Sequence, residues 1–228
     1  MLVTLRDLGR AVPAMWQESL QNGGCFDWAT YVGLLHGKRK PAQAFWRQQG
    51  MARIVGNWVE AVGADRVTLV TVPRPGAEPG LLWDRFCAAA GIPGEGCAEL
   101  EPANTSLDAA SALVLRELNK SLAGDELSPG DYHTVVKFGL AKKVLAGRAG
   151  GAPIGFDPPA WLVERSAEIV ARLTASGARV VGTLEDLDPV AVRGVDPGDV
   201  PEAERLVAAV DALDARAERL AGGAGDRL

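Results

Sequence analysis

The strongest constraint on the fold is a spacing. Short β-branched runs stand far apart along the chain, and the stretches between them carry helical periodicity. The first run is Leu2-Val3-Thr4-Leu5, which stops at Arg6-Asp7. The clearest is Arg66-Val67-Thr68-Leu69-Val70-Thr71-Val72, ended by Pro73-Arg74-Pro75-Gly76. The third is Ala178-Arg179-Val180-Val181-Gly182. Continuous apolar runs of this length read as buried strands. Strands separated by long helices pair in parallel through crossovers, because a tight hairpin joins only antiparallel neighbours. The expected class is α/β, with a small parallel sheet and many helices.

The helical stretches have readable ends. Asp7 is placed to cap the first, and Pro13 either kinks that helix or opens its main part. Met15, Trp16 and Leu20 supply its apolar stripe, and Asn22-Gly23-Gly24 ends it. Further helices are expected from Phe26 to Leu35 and, as one long element, from Phe45 to Val62 with a stop at Gly63. Gly80 to Ala90, Leu107 to Leu122, Tyr132 to Leu145 and Pro159 to Ser176 follow, and the last runs from Asp199 to Leu220. Gly91 to Asn104 reads as loop, and Gly147 to Pro159, rich in Gly and Pro, as a linker. In the last helix Leu206, Val210, Leu213 and Leu220 alternate by four and three. That stripe is assigned to packing on the parent domain, with a short coiled-coil seam as the alternative. Residues 1–221 are expected to form a single domain, and 222–228 a flexible tail.

The first run is apolar throughout, as a central strand is, yet it begins at residue 2. Parallel sheets are normally covered on both faces and hold more strands than three. The expectation is therefore that its neighbours belong to upstream sequence, so that a first βαβ unit is missing from this chain.

Composition narrows the chemistry. With 47% hydrophobic and 23% charged residues among 228, there is material for a core. A formal charge of −5 and a pI near 5.2 argue against a nucleic-acid binder, which needs a basic face. Cys25, Cys87 and Cys97 form no CxxC pair and read as reduced thiols, consistent with a cytoplasmic location. His36 and His133 lie too far apart for metal-ligand spacing, so no metal is expected. No leader peptide and no membrane-spanning run is legible.

Several sharp readings compete with plain ones. His36-Gly37-Lys38-Arg39-Lys40 is read as a solvated basic loop rather than an anion or substrate site. Gly33-Leu34-Leu35-His36-Gly37-Lys38-Arg39 has the wrong spacing for a phosphate-binding loop, lacks its Ser or Thr, and follows a helix. His133 has no Ser, Cys or Asp partner placed by the sequence. Lys137, Lys142 and Lys143 are expected to face solvent. Trp16, Trp28, Trp46, Trp58, Trp83 and Trp161 fall at helical core positions and are expected to pack in the core.

Val3-Thr4-Leu5-Arg6-Asp7-Leu8-Gly9-Arg10-Ala11-Val12-Pro13-Ala14-Met15-Trp16-Gln17-Glu18 resembles the T-x-R-D-L-x-R-x-x-P-[S/A]-x-W-Q-E stretch of actinobacterial sulfotransferase-like proteins. Phe45-Trp46-Arg47-Gln48-Gln49, Arg66 to Pro73, Leu82-Trp83-Asp84-Arg85-Phe86, Val136 to Ala141 and Gly182-Thr183-Leu184-Glu185-Asp186-Leu187 are similar to further blocks of that family, in its order. The resemblance implies a three-layer P-loop NTPase-like fold. It also implies a transferase that moves a sulfuryl group from 3′-phosphoadenosine 5′-phosphosulfate to a hydroxyl or amine of a small-molecule acceptor.

In that family a glycine-rich loop holds the phosphosulfate end of the donor. An Arg at the end of a later strand, with a Ser eight residues on, holds the 3′-phosphate. Arg6 matches that Arg, and so it is the residue expected to bind the cofactor. The Ser position is Ala14, so one hydrogen bond worth on the order of 1 kcal/mol is lost. Arg10, one turn along, is the candidate to compensate. The P-loop, the segment that carries the family's catalytic base, and the C-terminal R-K-G-x-x-G loop have no counterpart here. No catalytic residue is assigned, and a small-molecule kinase fails for want of a Walker A loop. The expectation is a sulfotransferase homologue that is inactive or incomplete as this chain. The alternative is a non-catalytic scaffold, dimerising through its first strand and C-terminal helix.

Overall fold

The structure, a computed structural model, describes residues 1–37, 40–94, 106–123, 127–148 and 150–225. Lys38 and Arg39 of the basic stretch, Cys97, and most of the loop expected from Gly91 to Asn104 lie outside those residues. The chain divides into two compact units. One comprises Met1–Val12, Leu34–Glu101 and Asp157–Val192; the other comprises Pro13–Gly33, Pro102–Phe156 and Arg193–Leu228.

The first unit holds the sheet. Strands β1 (Leu2–Leu5), β2 (Thr68–Thr71) and β3 (Arg179–Val181) are parallel and lie in the order β1-β2-β3. Val3 stands opposite Leu69, and Leu69 opposite Val180. The α/β class with a small parallel sheet is therefore present. The central position belongs to β2, where Leu69 and Val70 are fully buried. β1, read from its sequence as central, is an edge of the described sheet: Leu5 is buried, Leu2 and Val3 are half-buried, and Thr4 is exposed.

Between β1 and β2 come α1 (Leu8–Gln21), α2 (Trp28–Leu34), α3 (Ala42–Gln49) and α4 (Met51–Val62). α1 starts at Leu8 and continues past Pro13, which lies inside it. The single long helix expected from Phe45 to Val62 is broken at Gly50. Its amide caps α3 by donating to the Trp46 carbonyl at 3.0 Å, and a Cβ there would sit 2.4 Å from that oxygen. Both short helices show apolar residues at helical spacing, so the sequence pattern runs on across a break that only the backbone reveals. α5 (Leu81–Ala90) follows β2.

The second unit is helical. It contains α6 (Ala109–Leu122) and the one-turn α7 (Pro129–Asp131), where the Ser128 hydroxyl accepts from the Asp131 amide. Tyr132–Lys142 then continues as a wider π-helix. Trp16 donates to the Phe26 carbonyl at 3.0 Å and meets Trp28 edge-on at 5.2 Å, and Trp28 meets Phe156. Buried Asn119 donates to the carbonyls of Leu20 and Gly24 and accepts from Tyr132 Oη at 2.6 Å. The expected linker at Gly147 to Pro159 is anchored at Ile154, which is buried and bridged to Val195, and at buried Phe156.

Back in the first unit, α8 (Ala160–Ala175) leads into β3. The chain ends in the second unit with α9 (Glu202–Gly225), which extends past the boundary expected for the tail; residues 226–228 lie outside the described set. α9 packs against α6 through its small side chains, with Ala208 and Ala212 buried. Leu206, Val210 and Leu213 point the other way, at 65%, 47% and 70% exposure, so the assignment of this stripe to the parent core is corrected. The tryptophan expectation also needs correction. Trp16 and Trp28 are core residues, Trp46 and Trp161 are half-buried, and Trp58 and Trp83 are exposed. No helix among the described residues is long and apolar enough to cross a membrane.

Candidate functional site

Parallel strands end on one edge. Arg6 and Asp7 follow β1, Val72, Pro73 and Arg74 follow β2, and Gly182 and Thr183 follow β3. Ligands of open α/β sheets gather at this carboxyl edge, because loops there can vary without disturbing the sheet. Among the described residues four arginines, Arg6, Arg10, Arg74 and Arg85, serve this edge, and what each guanidinium already holds decides what it can do.

Arg10 is fully engaged. It pairs with the Asp7 carboxylate, donates to the Pro73 carbonyl at 2.8 Å and reaches the Val72 carbonyl at 3.3 Å. It staples the first turn of α1 to the end of β2 through all three of its nitrogens. Arg74 donates to the Glu185 carbonyl at 2.6 Å and pairs with Asp188 at 3.1 Å. Arg85 Nη1 donates to the Thr71 carbonyl at 2.8 Å and to Asp186 Oδ2 at 2.6 Å.

Asp186 is the hub of this edge. It accepts from Thr71 Oγ1 at 2.7 Å and forms a capping box with Thr183 over the turn Leu184–Leu187. Burial pushes its proton affinity up, but the hydrogen bonds from Thr71 and Arg85 and the Arg85 charge outweigh that. Its carboxyl is held below the ordinary aspartate value. Gly182, at φ +101°, is required here: a Cβ would lie 2.1 Å from Thr71 Oγ1 and would also strike Arg85. Sequence reasoning missed this network, although the Thr183-x-x-Asp186 spacing is a capping-box signal.

Arg6 differs from the other three. Among the described residues it makes no ion pair and no side-chain hydrogen bond, and it is exposed. Partial desolvation pulls it below the ordinary arginine value, and the neighbouring Arg10 charge adds to that, while Asp7 opposes. A cation so placed gains from an incoming anion. Asp7 itself is fully buried and accepts from the amides of Arg10 at 3.0 Å and Val190 at 3.3 Å, so the start of α1 already holds a carboxylate. Ala14 is an exposed residue of α1. The residues present fit one phosphate group at Arg6. None is assigned to the phosphosulfate end of the donor.

The other candidates fall elsewhere. His36 stacks on Trp161 at 5.3 Å and, with Gly37, borders a cleft of about 320 Å³ that Arg53, Arg165 and Arg172 also line. Arg165 lies over the Trp46 ring and pairs with Glu168. His133 is exposed on the π-helix and tilts against Phe138 at 4.6 Å. Lys137, expected in solvent, is 15% exposed and binds Glu18 at 2.9 Å and Asn22 at 2.8 Å. Among the described residues no group of His, Cys, Asp or Glu is placed to hold a metal ion. No family profile, curated protein or solved structure matches the chain.

Proposed function

We propose that this chain is a cytoplasmic sulfotransferase-like protein of the P-loop type that grips the 3′-phosphate of 3′-phosphoadenosine 5′-phosphosulfate with Arg6. The observation that carries the reading is the contrast among the arginines. Arg10, Arg74 and Arg85 hold the scaffold together, while Arg6, at the carboxyl end of a parallel strand, makes no ion pair or side-chain hydrogen bond among the described residues. A guanidinium there can present two parallel N–H donors to phosphate oxygens. The Arg10–Asp7 staple fixes the backbone from which Arg6 projects. When bound, the donor supplies a sulfuryl group on a phosphate leaving group, for transfer to a hydroxyl or amine. No residue of this chain is assigned a step in that transfer, so the function proposed for the chain itself is nucleotide binding.

Calorimetric titration with 3′-phosphoadenosine 5′-phosphate tests this. Micromolar binding is expected. Adenosine 5′-phosphate, which lacks the 3′-phosphate, should bind at least about tenfold more weakly, as should the nucleotide to Arg6→Ala, since charge-assisted bonds contribute about 1.5–3 kcal/mol. Absence of binding, or equal affinity of Arg6→Ala, would remove the reading. The second reading, a non-catalytic dimerising scaffold, is favoured by the exposed stripe of α9.

A further inference from the structure

α9 has two apolar faces. The small one, with Ala208 and Ala212, is buried against α6. The large one faces solvent, with Leu206 65%, Val207 52%, Val210 47% and Leu213 70% exposed. The steps from Leu206 to Val210 and from Val210 to Leu213 are four and three residues, the seam of a coiled coil, with Ala203 and Ala217 extending it at both ends. An exposed seam of this kind calls for a second helix.

Charge identifies that helix. Glu202 and Arg216 occupy equivalent heptad positions beside the seam, two heptads apart. Glu202 is exposed, whereas Arg216 is half-buried with Nη1 beside Gly139, so pairing with a second copy requires it to turn outward. Neither makes an ion pair among the described residues. They stand about 21 Å apart along the axis, so they cannot meet within one helix. We infer that α9 pairs antiparallel with α9 of a second copy of this chain. In that register Leu206 meets Val210 of the second copy, and Leu213 meets its Ala203. The same register carries Glu202 to Arg216 of the second copy, twice by symmetry, and sets Val207 against its own equivalent on the two-fold axis. A parallel pair would instead set Glu202 against Val207 and Arg216 against Ala221, leaving both charges unanswered. Between two copies of this chain, the apolar seam and the charges thus favour the antiparallel orientation.

Sedimentation velocity of the full chain from about 1 to 200 μM, around the micromolar range typical of a small interface, tests the pairing. A concentration-dependent dimer is expected. Leu206→Glu/Leu213→Glu should be monomeric with an unchanged circular dichroism spectrum, because both residues are exposed in the single chain. Glu202→Arg should weaken the dimer about tenfold, and Glu202→Arg/Arg216→Glu should restore it. A wild-type monomer throughout would overturn the inference and give the face to another partner. A dimer that survives Leu206→Glu/Leu213→Glu, or a double swap that fails to rescue, would overturn it as well.

Discussion

An arginine at the edge of a sheet is defined by what its guanidinium already holds. Arg85 and Arg6 both serve the carboxyl edge, yet one is 14% exposed within a three-way contact and the other makes no ion pair or side-chain hydrogen bond among the described residues. Substitutions should separate them. Arg6→Ala removes no described contact, so its unfolding free energy should stay within about 0.5 kcal/mol of wild type, even where nucleotide affinity falls. Thr71→Val makes the opposite test. Valine matches threonine in shape and favours strands more, so propensity and burial both predict a neutral or stabilising change. But Thr71 is fully buried, and its hydroxyl donates to Asp186 while accepting from Arg85 and from the Thr183 amide. Its loss leaves those groups short of a partner and should cost about 1–3 kcal/mol in denaturant unfolding. A neutral Thr71→Val would show that the network does not hold the edge together.

At the scale of elements, the strands were legible because a short β-branched run between breakers has few other uses, and β2 lies within the segment read for it. What the pattern could not show is which way an apolar face turns. The stripe of α9 reads the same whether it packs inward or outward, and the buried apolar residues that mark its inner face among the described side chains, Ala208 and Ala212, are too small to stand out. The break at Gly50 was hidden for a similar reason, since glycine inside a helical period is tolerated at a modest cost. Arg6 stood out only through the family resemblance of its segment; its place after a strand by itself reads as a surface arginine beside a helix-capping Asp7. What its neighbours Arg10 and Arg74 hold, at Asp7, Pro73 and Asp188, depends on contacts that are partly from distant parts of the chain and invisible in the local pattern. Gly9 shows how such long-range contact reverses a local rule. In the first turn of α1, alanine would ordinarily stabilise by about 1 kcal/mol over glycine. Here a Cβ would lie 2.1 Å from the Val190 carbonyl oxygen, in backbone that cannot swing aside. Gly9→Ala should therefore lower stability, by about 2 kcal/mol as for an overpacked site, measurable as a fall in Tm.

For the molecule as a whole, both compact units contain a carboxylate that the fold holds ionised. In the first, burial pushes Asp186 up, and Thr71 and Arg85 more than reverse it. In the second, burial likewise raises Glu18, and its hydrogen bonds with Lys137 and Asn22 bring it below the ordinary glutamate value. The sign of the consequence follows from proton linkage. A carboxyl with a lower pKa folded than unfolded leaves the unfolded chain binding more protons at acid pH. Its stabilisation is complete above the unfolded value, about 4 for these groups, and drains away as pH falls through the folded value. Stability should be nearly level from pH 7 to about 5 in respect of these two groups, then decline. Asp186→Asn and Glu18→Gln isolate the cause. Each should be less stable than wild type at pH 7, and the gap should narrow toward pH 3 as the wild-type carboxyl takes up its proton. A gap that kept its size across that range would mean that shape and hydrogen bonding, rather than charge, account for what these residues contribute.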